Sequence, residues 1–226
     1  MKFGIIIAIE RELQAFLKSG SDISEHQVGT WKVYETQMHG HQILALQSGY
    51  GEIDAAAATQ LLITWGSCDT ILNFGVTGAL ELGLQVADLF VVRKTCHYDY
   101  DVSPIDPVQK HQYIDFPDQY IPLDDSLIRQ ALEICPSLQE VTVASGDRFV
   151  EDQSVKRELN ALGCQICDME IAAIARICFL NRVPCLSVKC ISDTYEGNGG
   201  DFIQNVTRSA EAAFRVLDAI ISGIQS

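Results

Sequence analysis

Basic residues are scarce in this chain of 226 residues: 16 lysines and arginines stand against 30 aspartates and glutamates, a formal net charge of −14. A field of that sign repels a phosphate backbone or an anionic membrane surface, so nucleic acid and membrane are excluded as partners and a small molecule fits better. Long apolar runs are missing as well. The opening stretch Met1-Lys2-Phe3-Gly4-Ile5-Ile6-Ile7-Ala8 is too short for a signal-peptide core or a membrane span, and Glu10 follows at once. The expected location is the cytoplasm. There is no internal repeat and no low-complexity segment. Cys164-Gln165-Ile166-Cys167 has the spacing of a metal or redox pair, but neither a second pair nor a nearby His completes the roughly four ligands zinc needs, and a packed strand is the preferred reading. Cys68, Cys96, Cys135, Cys178, Cys185 and Cys190 lie in apolar segments, where buried free thiols are expected. No cluster implies a metal or an organic cofactor.

What the chain has is apolar material for one sizeable core, 47% of its residues, and the simplest organisation is a single α/β domain over residues 1–226. An Ile-rich strand is expected at 2–8, then a helix from Glu10 with Leu13, Phe16 and Leu17 on one face. Strands at 32–38 and 42–47 flank the His39-Gly40-His41 turn. The loop Ser48-Gly49-Tyr50-Gly51 either lets backbone approach a ligand or makes a tight turn, and an alanine-rich helix follows at 53–65. A strand at 70–74 ends in Gly75-Val76-Thr77-Gly78, and the next is expected at 86–92. His97-Tyr98-Asp99-Tyr100-Asp101 suits a metal by residue type, but its close spacing favours a polar surface loop. Residues 104–122 read as a long loop of the kind that binds or covers a ligand. Then come a helix capped by Asp124 or Asp125 and running to 134, a strand at 141–144, a helix at 154–162, and a last helix at 202–221 with the stripe Val206, Ala210, Ala213, Phe214, Leu217.

Three carboxylates, Asp168, Glu170 and Asp193, adjoin apolar runs, and charged side chains seldom sit inside unless they are paired or working. Beyond Met169 the positions Ile171, Ile174, Ala175 and Cys178 recur at helical spacing, and Pro184 opens a β-rich run over 185–191. Asp193 therefore falls at the carboxyl end of a strand, where open α/β sheets collect ligands. By position alone it is equally a helix cap or a turn residue after Ser192. Glu12, just past the first strand, reads on its own as favourable charge in a first helical turn.

In order and spacing, several pieces fall together: Gly4-Ile5-Ile6 with Glu10 and Glu12, Ser48-Gly49-Tyr50-Gly51, Asn73-x-Gly75-x-x-Gly78-x-Leu80, Tyr98-Asp99-x-Asp101-Val102, Ser145-Gly146-Asp147-x-Phe149, Met169-Glu170 with Ala172, and Ile191-Ser192-Asp193. Over nearly its whole length the chain thus resembles the 5′-methylthioadenosine/S-adenosylhomocysteine nucleosidases of the nucleoside phosphorylase superfamily. The resemblance implies a three-layer α/β/α phosphorylase-like domain around a twisted mixed sheet, usually assembled as a homodimer. It implies hydrolysis of the N-glycosidic bond of an adenine thionucleoside through an oxocarbenium-like transition state. In that reaction Asp193 would protonate the purine at N7 and Glu12 would deprotonate the attacking water. Glu170 would bind the ribose hydroxyls with Met169 packed on the sugar, Phe149 would stack on adenine, and the backbone of Val150 would read its polar edge. Tyr50 and Val102 would line the apolar 5′-alkylthio pocket, with Val76 and Ser192 also beside the substrate. The chain departs from the family at Val76, where a small hydroxyl residue is usual, at Asp168 in place of Glu, and at Lys189 in place of Arg; Ile9 and Tyr50 also differ.

A phosphorylase needs cations around a phosphate dianion, whereas a carboxylate at the nucleophile position suits water, so hydrolysis is the favoured reading. Arg11 and Arg148 lie near site residues in sequence and leave phosphorolysis open. A futalosine-type hydrolase and a catalytically silent nucleoside binder are also compatible with these residues.

Overall fold

The computed structural model describes residues 1–18 and 22–224. The Ile-rich opening forms β1 (Lys2–Ile7), buried from Phe3 onward, and α1 (Glu10–Leu17) follows directly. Then come β2 (Ser24–Val28), β3 (Trp31–Met38), β4 (His41–Gln47), α2 (Glu52–Thr64), β5 (Thr70–Ala79) and β6 (Leu89–His97). The second half holds β7 (Tyr120–Pro122), α3 (Asp125–Ile134), β8 (Gln139–Ser145), α4 (Gln153–Ala161), β9 (Ile166–Asp168), α5 (Ile171–Asn181), β10 (Cys185–Asp193) and α6 (Gly199–Gly223).

All the strands join one mixed sheet in the order β10-β6-β8-β9-β5-β1-β4-β3-β2, with β7 beside β6. β10 also pairs with β5, so β5, β9, β8, β6 and β10 close into a ring and the rest of the sheet extends from β5 as a twisted wing. The helices form the outer layers of an α/β/α arrangement. α6 lies against β10 and β5 with α1 and α3 beside it, and α2 packs on α5. α6 holds its place through Phe214, whose ring meets Phe16 of α1 at 5.9 Å and Phe74 of β5 at 5.1 Å between centroids, both edge-on. Burying such a side chain contributes about 1.5–3 kcal/mol, and favourable ring geometry adds to it. Asn198 caps the same helix by accepting from Gly200 N, with Asp201 completing a capping box.

Several sequence expectations shift. The strand expected at 70–74 runs on to Ala79, because Gly75 to Gly78 pair with β10 along its whole length. β6 starts at Leu89, not 86: Ala87 has φ 76° and Asp88 accepts a hydrogen bond from Gln85 N, a turn that the apolar Val86 disguises. β2 was not expected, since four of its five residues, Ser-Glu-His-Gln, are polar, and among the described residues it pairs only with β3. The run 97–101 is only partly a surface loop: His97 ends β6 and Tyr98 is buried.

Candidate active site

A cleft open to solvent lies where β1, β5, β9 and β10 end, the side of an α/β sheet on which ligands collect. Glu12, Asp168, Glu170 and Asp193 all line it, together with Tyr50, Val76, Phe149, Val150, Met169 and Ser192. Lysine and arginine are absent from its described lining. Arg11 turns outward to Thr207 at 3.3 Å, and Arg148 is exposed.

Glu12 sits in the first turn of α1, and its carboxylate reaches back over the end of β1. One oxygen accepts from Ala8 N at 3.1 Å and Ile9 N at 3.2 Å, and the other from Val76 N at 2.9 Å. Glu12 does sit in a first helical turn, as its position suggested, but it is buried and also faces the cleft. Burial raises its pKa, against the opposing pull of Lys189 and the three backbone donors. Gly75 makes room for it, since a Cβ there would collide with Glu12 Oε1.

Asp193 is the last residue of β10, and neither cap nor turn. In regular β-structure Ser192 and Asp193 would point to opposite faces, but the register slips between Ile191 and Asp193, so both reach the cleft. Ser192 Oγ donates to Asp193 Oδ1 at 2.8 Å. Burial pushes the Asp193 pKa up to about 6, partly offset by the Ser192 hydrogen bond and the charge of Lys156. Gly78 stands opposite, where a Cβ would lie 2.9 Å from Asp193 Oδ2.

Glu170 is the N-cap residue of α5 yet does not cap it. Its carboxylate accepts from Gly51 N at 3.1 Å and Met169 N at 3.3 Å, while α5 is capped from outside: Ala172 N donates to Ser145 Oγ and Ala173 N to Glu52 Oε2. The pKa of Glu170 is raised by burial and by Asp168, against Lys189. Asp168 pairs with Lys189 Nζ at 2.7 Å, both side chains 2% exposed. Burial disfavours the Lys189 charge, but Asp168, Glu170 and Glu12 outweigh it and raise its pKa. One buried ammonium therefore serves three carboxylates, and two of the departures expected from the sequence, Asp168 and Lys189, are partners of each other.

Val102 does not line this cleft; it lies in the 98–119 loop, where its carbonyl accepts from Ile105 and Asp106. Phe202 does line the cleft, with its ring edge-on to Phe149 at 5.6 Å, and sequence reasoning missed it because it reads as the first apolar residue of a surface helix. Ser145-Gly146-Asp147 acts as a brace: Asp147 accepts from Glu52 N at 2.7 Å and donates from its own N to Asp99 at 3.0 Å.

Fold and site together define an enzyme of the phosphorylase superfamily, whose family model matches residues 2–222. The 5′-methylthioadenosine/S-adenosylhomocysteine nucleosidase of Buchnera aphidicola subsp. Acyrthosiphon pisum is 30% identical over 213 residues, 91% of either chain. The chain belongs to that nucleosidase family within the superfamily. Among solved structures, the Helicobacter pylori 5′-methylthioadenosine/S-adenosylhomocysteine nucleosidase, complexed with a pyrrolidinol bearing an amino-pyrrolopyrimidine and a propynylthiomethyl group, matches with TM-score 0.93 at 27% identity over 99% of both chains. The native futalosine hydrolase of Helicobacter pylori strain 26695 matches with TM-score 0.92 at 26% identity, over 99% of this chain and 98% of its own.

Proposed function

We propose that this protein hydrolyses the N-glycosidic bond of 5′-methylthioadenosine and S-adenosylhomocysteine, releasing adenine and the 5′-thioribose product. The observation that carries the reading is the meeting of Glu12 and Asp193, from the first turn of α1 and the end of β10, in one cleft with Glu170. Asp193, with its pKa raised to about 6, delivers a proton to N7 so that adenine leaves neutral. Glu12, made more basic by burial, takes the proton of the attacking water. Glu170 accepts hydrogen bonds from the ribose hydroxyls and stabilises the cationic sugar, with Met169 against the ring. Phe149 stacks on the base, and Val150 backbone reads its edge. A wall of carboxylates supports water as the nucleophile, because it repels a phosphate dianion.

The test is adenine release from 5′-methylthioadenosine, S-adenosylhomocysteine, adenosine and inosine, with and without phosphate. Release from the thionucleosides in the absence of phosphate is expected; strict phosphate dependence would make the protein a phosphorylase. The likeness to a futalosine hydrolase puts futalosine in the same panel. Cleavage of futalosine alone would reassign the substrate, and no cleavage of any would mark a silent binder.

We also read the chain as one phosphorylase-like unit that works as a homodimer in the cytoplasm. Tyr50, Ile53, Ile105 and Ile114 are exposed at 64%, 79%, 83% and 77%, and a second copy is the occupant this reading gives them. Val102, in the same loop as Ile105, then reaches a neighbour's 5′ pocket and not its own. Eight unpaired cysteines support a reducing compartment. Among the described residues, no helix is long and apolar enough to cross a membrane.

A further inference from the structure

Lys156 of α4 is fully buried, and its place is unlike that of any other lysine here. Its Nζ donates to the carbonyls of Thr194 at 3.0 Å, Tyr195 at 2.9 Å and Gly197 at 3.4 Å. The three hydrogens of a lysine ammonium match these three carbonyls in number. Among the described ion pairs none involves Lys156, and burying a charge without a counter-ion is costly. The three carbonyls belong to the segment directly after Asp193, and α4 itself follows Phe149 and Val150. A second link ties the same two segments together: Glu151 Oε1 accepts from Gly199 N at 2.6 Å.

We propose that Lys156 is a positioning residue for glycosidic cleavage, whose ammonium fixes the loop after Asp193 and stabilises the carboxylate left on Asp193 once its proton has passed to the purine. The inference rests on the general-acid role given to Asp193 above. In that step the proton moves from the Asp193 carboxyl to N7, the C1′–N9 bond breaks with its electron pair retained by the purine, and a new negative charge appears on Asp193. Before the step the buried cation has the three carbonyl dipoles and the ring of Tyr195, 5.9 Å away, for company; after it, an anion one residue before the loop it holds. The groups that face Asp193 are few. Ser192 on β10 hydrogen-bonds it and Lys156 on α4 favours its ionised form. Asp201 on α6 and Glu151 ahead of α4 disfavour that form, and Cys167 on β9 has its thiol kept protonated by burial.

The experiment compares Lys156→Met and Lys156→Arg with wild type in kcat, KM and kcat/KM against pH, using 5′-methylthioadenosine, with thermal denaturation alongside. Asp193 must hold a proton to act, so kcat/KM falls as pH rises past its pKa. Removing the cation raises that pKa, so in Lys156→Met the falling limb should move up by about one pH unit, while kcat drops by about tenfold or more at little change in KM. Lys156→Arg should return the limb to its place. A lower kcat with an unmoved limb would reduce Lys156 to a structural staple and overturn the inference, as would an unchanged kcat. If Lys156→Met does not fold, the ¹⁵Nζ resonance of Lys156 in wild type, identified by its loss in Lys156→Arg, should report the ionisation of Asp193 by shifting around pH 6, and cease to do so in Asp193→Asn; a resonance that does not move there overturns the inference. Full activity in Asp193→Asn would bring down the acid assignment itself, and this inference with it. Loss of activity in Asp193→Asn with an unmoved limb in Lys156→Met brings down the inference alone.

Discussion

Asp193 and Glu12 are both carboxylates made less acidic by burial, and at the scale of single residues the site's chemistry follows from that. Asp193→Asn should lower kcat by about 10²–10⁴-fold, the usual worth of a positioned acid, with secondary structure retained by circular dichroism. The same substitution should stabilise the protein at neutral pH. A folded-state pKa of about 6 for an acid whose ordinary value is 3.8 means that stability is fully present below the ordinary value and is lost as pH rises through 6. Asn removes that loss, so a melting temperature higher than wild type at pH 7, worth on the order of 1–3 kcal/mol, and equal to it near pH 3 is expected. Lys189→Met should act in the other direction. It leaves Asp168 buried without its partner, a change that costs about 3–5 kcal/mol, and it raises the pKa of Glu12 so that the rising limb of the pH–rate profile moves to higher pH. The end of the strand at Asp193 was legible from the apolar run before it, but by position alone a cap or a turn explained the acid equally well, and its role came only from the resemblance. Lys156 could not be placed from sequence, because a lysine on a helix whose other residues are largely polar reads as solvated.

Among elements, β5 and α6 carry the most. β5 runs through the expected turn at Gly75 because two strands pair with it there, and its glycines exist to clear space for carboxylates on other elements. Gly75→Ala should therefore cost activity through displaced Glu12 more than it costs stability, measured as kcat against the midpoint of urea unfolding. Phe214→Ala should do the reverse: it empties the contact between α6, α1 and β5 and should destabilise by about 3–5 kcal/mol with KM nearly intact. Element identity was legible wherever one face was apolar, as in α6, or both were, as in β1 and β10. It failed at β2, whose pairing with β3 is backbone hydrogen bonding by polar residues, and at the start of β6, where a left-handed Ala87 has no signature in its side chain. The outside capping of α5 by Glu52 and Ser145 was equally silent, since those residues lie far from it in sequence.

For the whole molecule, the exposed apolar residues Tyr50, Ile53, Ile105 and Ile114 lead to an expectation of mass. Sedimentation at micromolar concentration should give a species of two chains, and Ile53→Glu with Ile105→Glu should dissociate it and raise KM for thionucleosides if Val102 completes a neighbour's pocket. A monomer with unchanged KM would refute that arrangement. The absence of lysine and arginine from the described lining of the cleft has one more effect. Adenine nucleotides carry the same base and ribose as a thionucleoside and differ at the 5′ position by a doubly charged group. With Glu12, Asp168, Glu170 and Asp193 setting the sign of the field in the cleft and no cation in its described lining to receive that group, it meets repulsion where an alkylthio arm meets none. Adenosine 5′-monophosphate at millimolar concentration should be neither cleaved nor able to compete, which lets an adenine-releasing enzyme work in a nucleotide-rich cell without consuming the nucleotides.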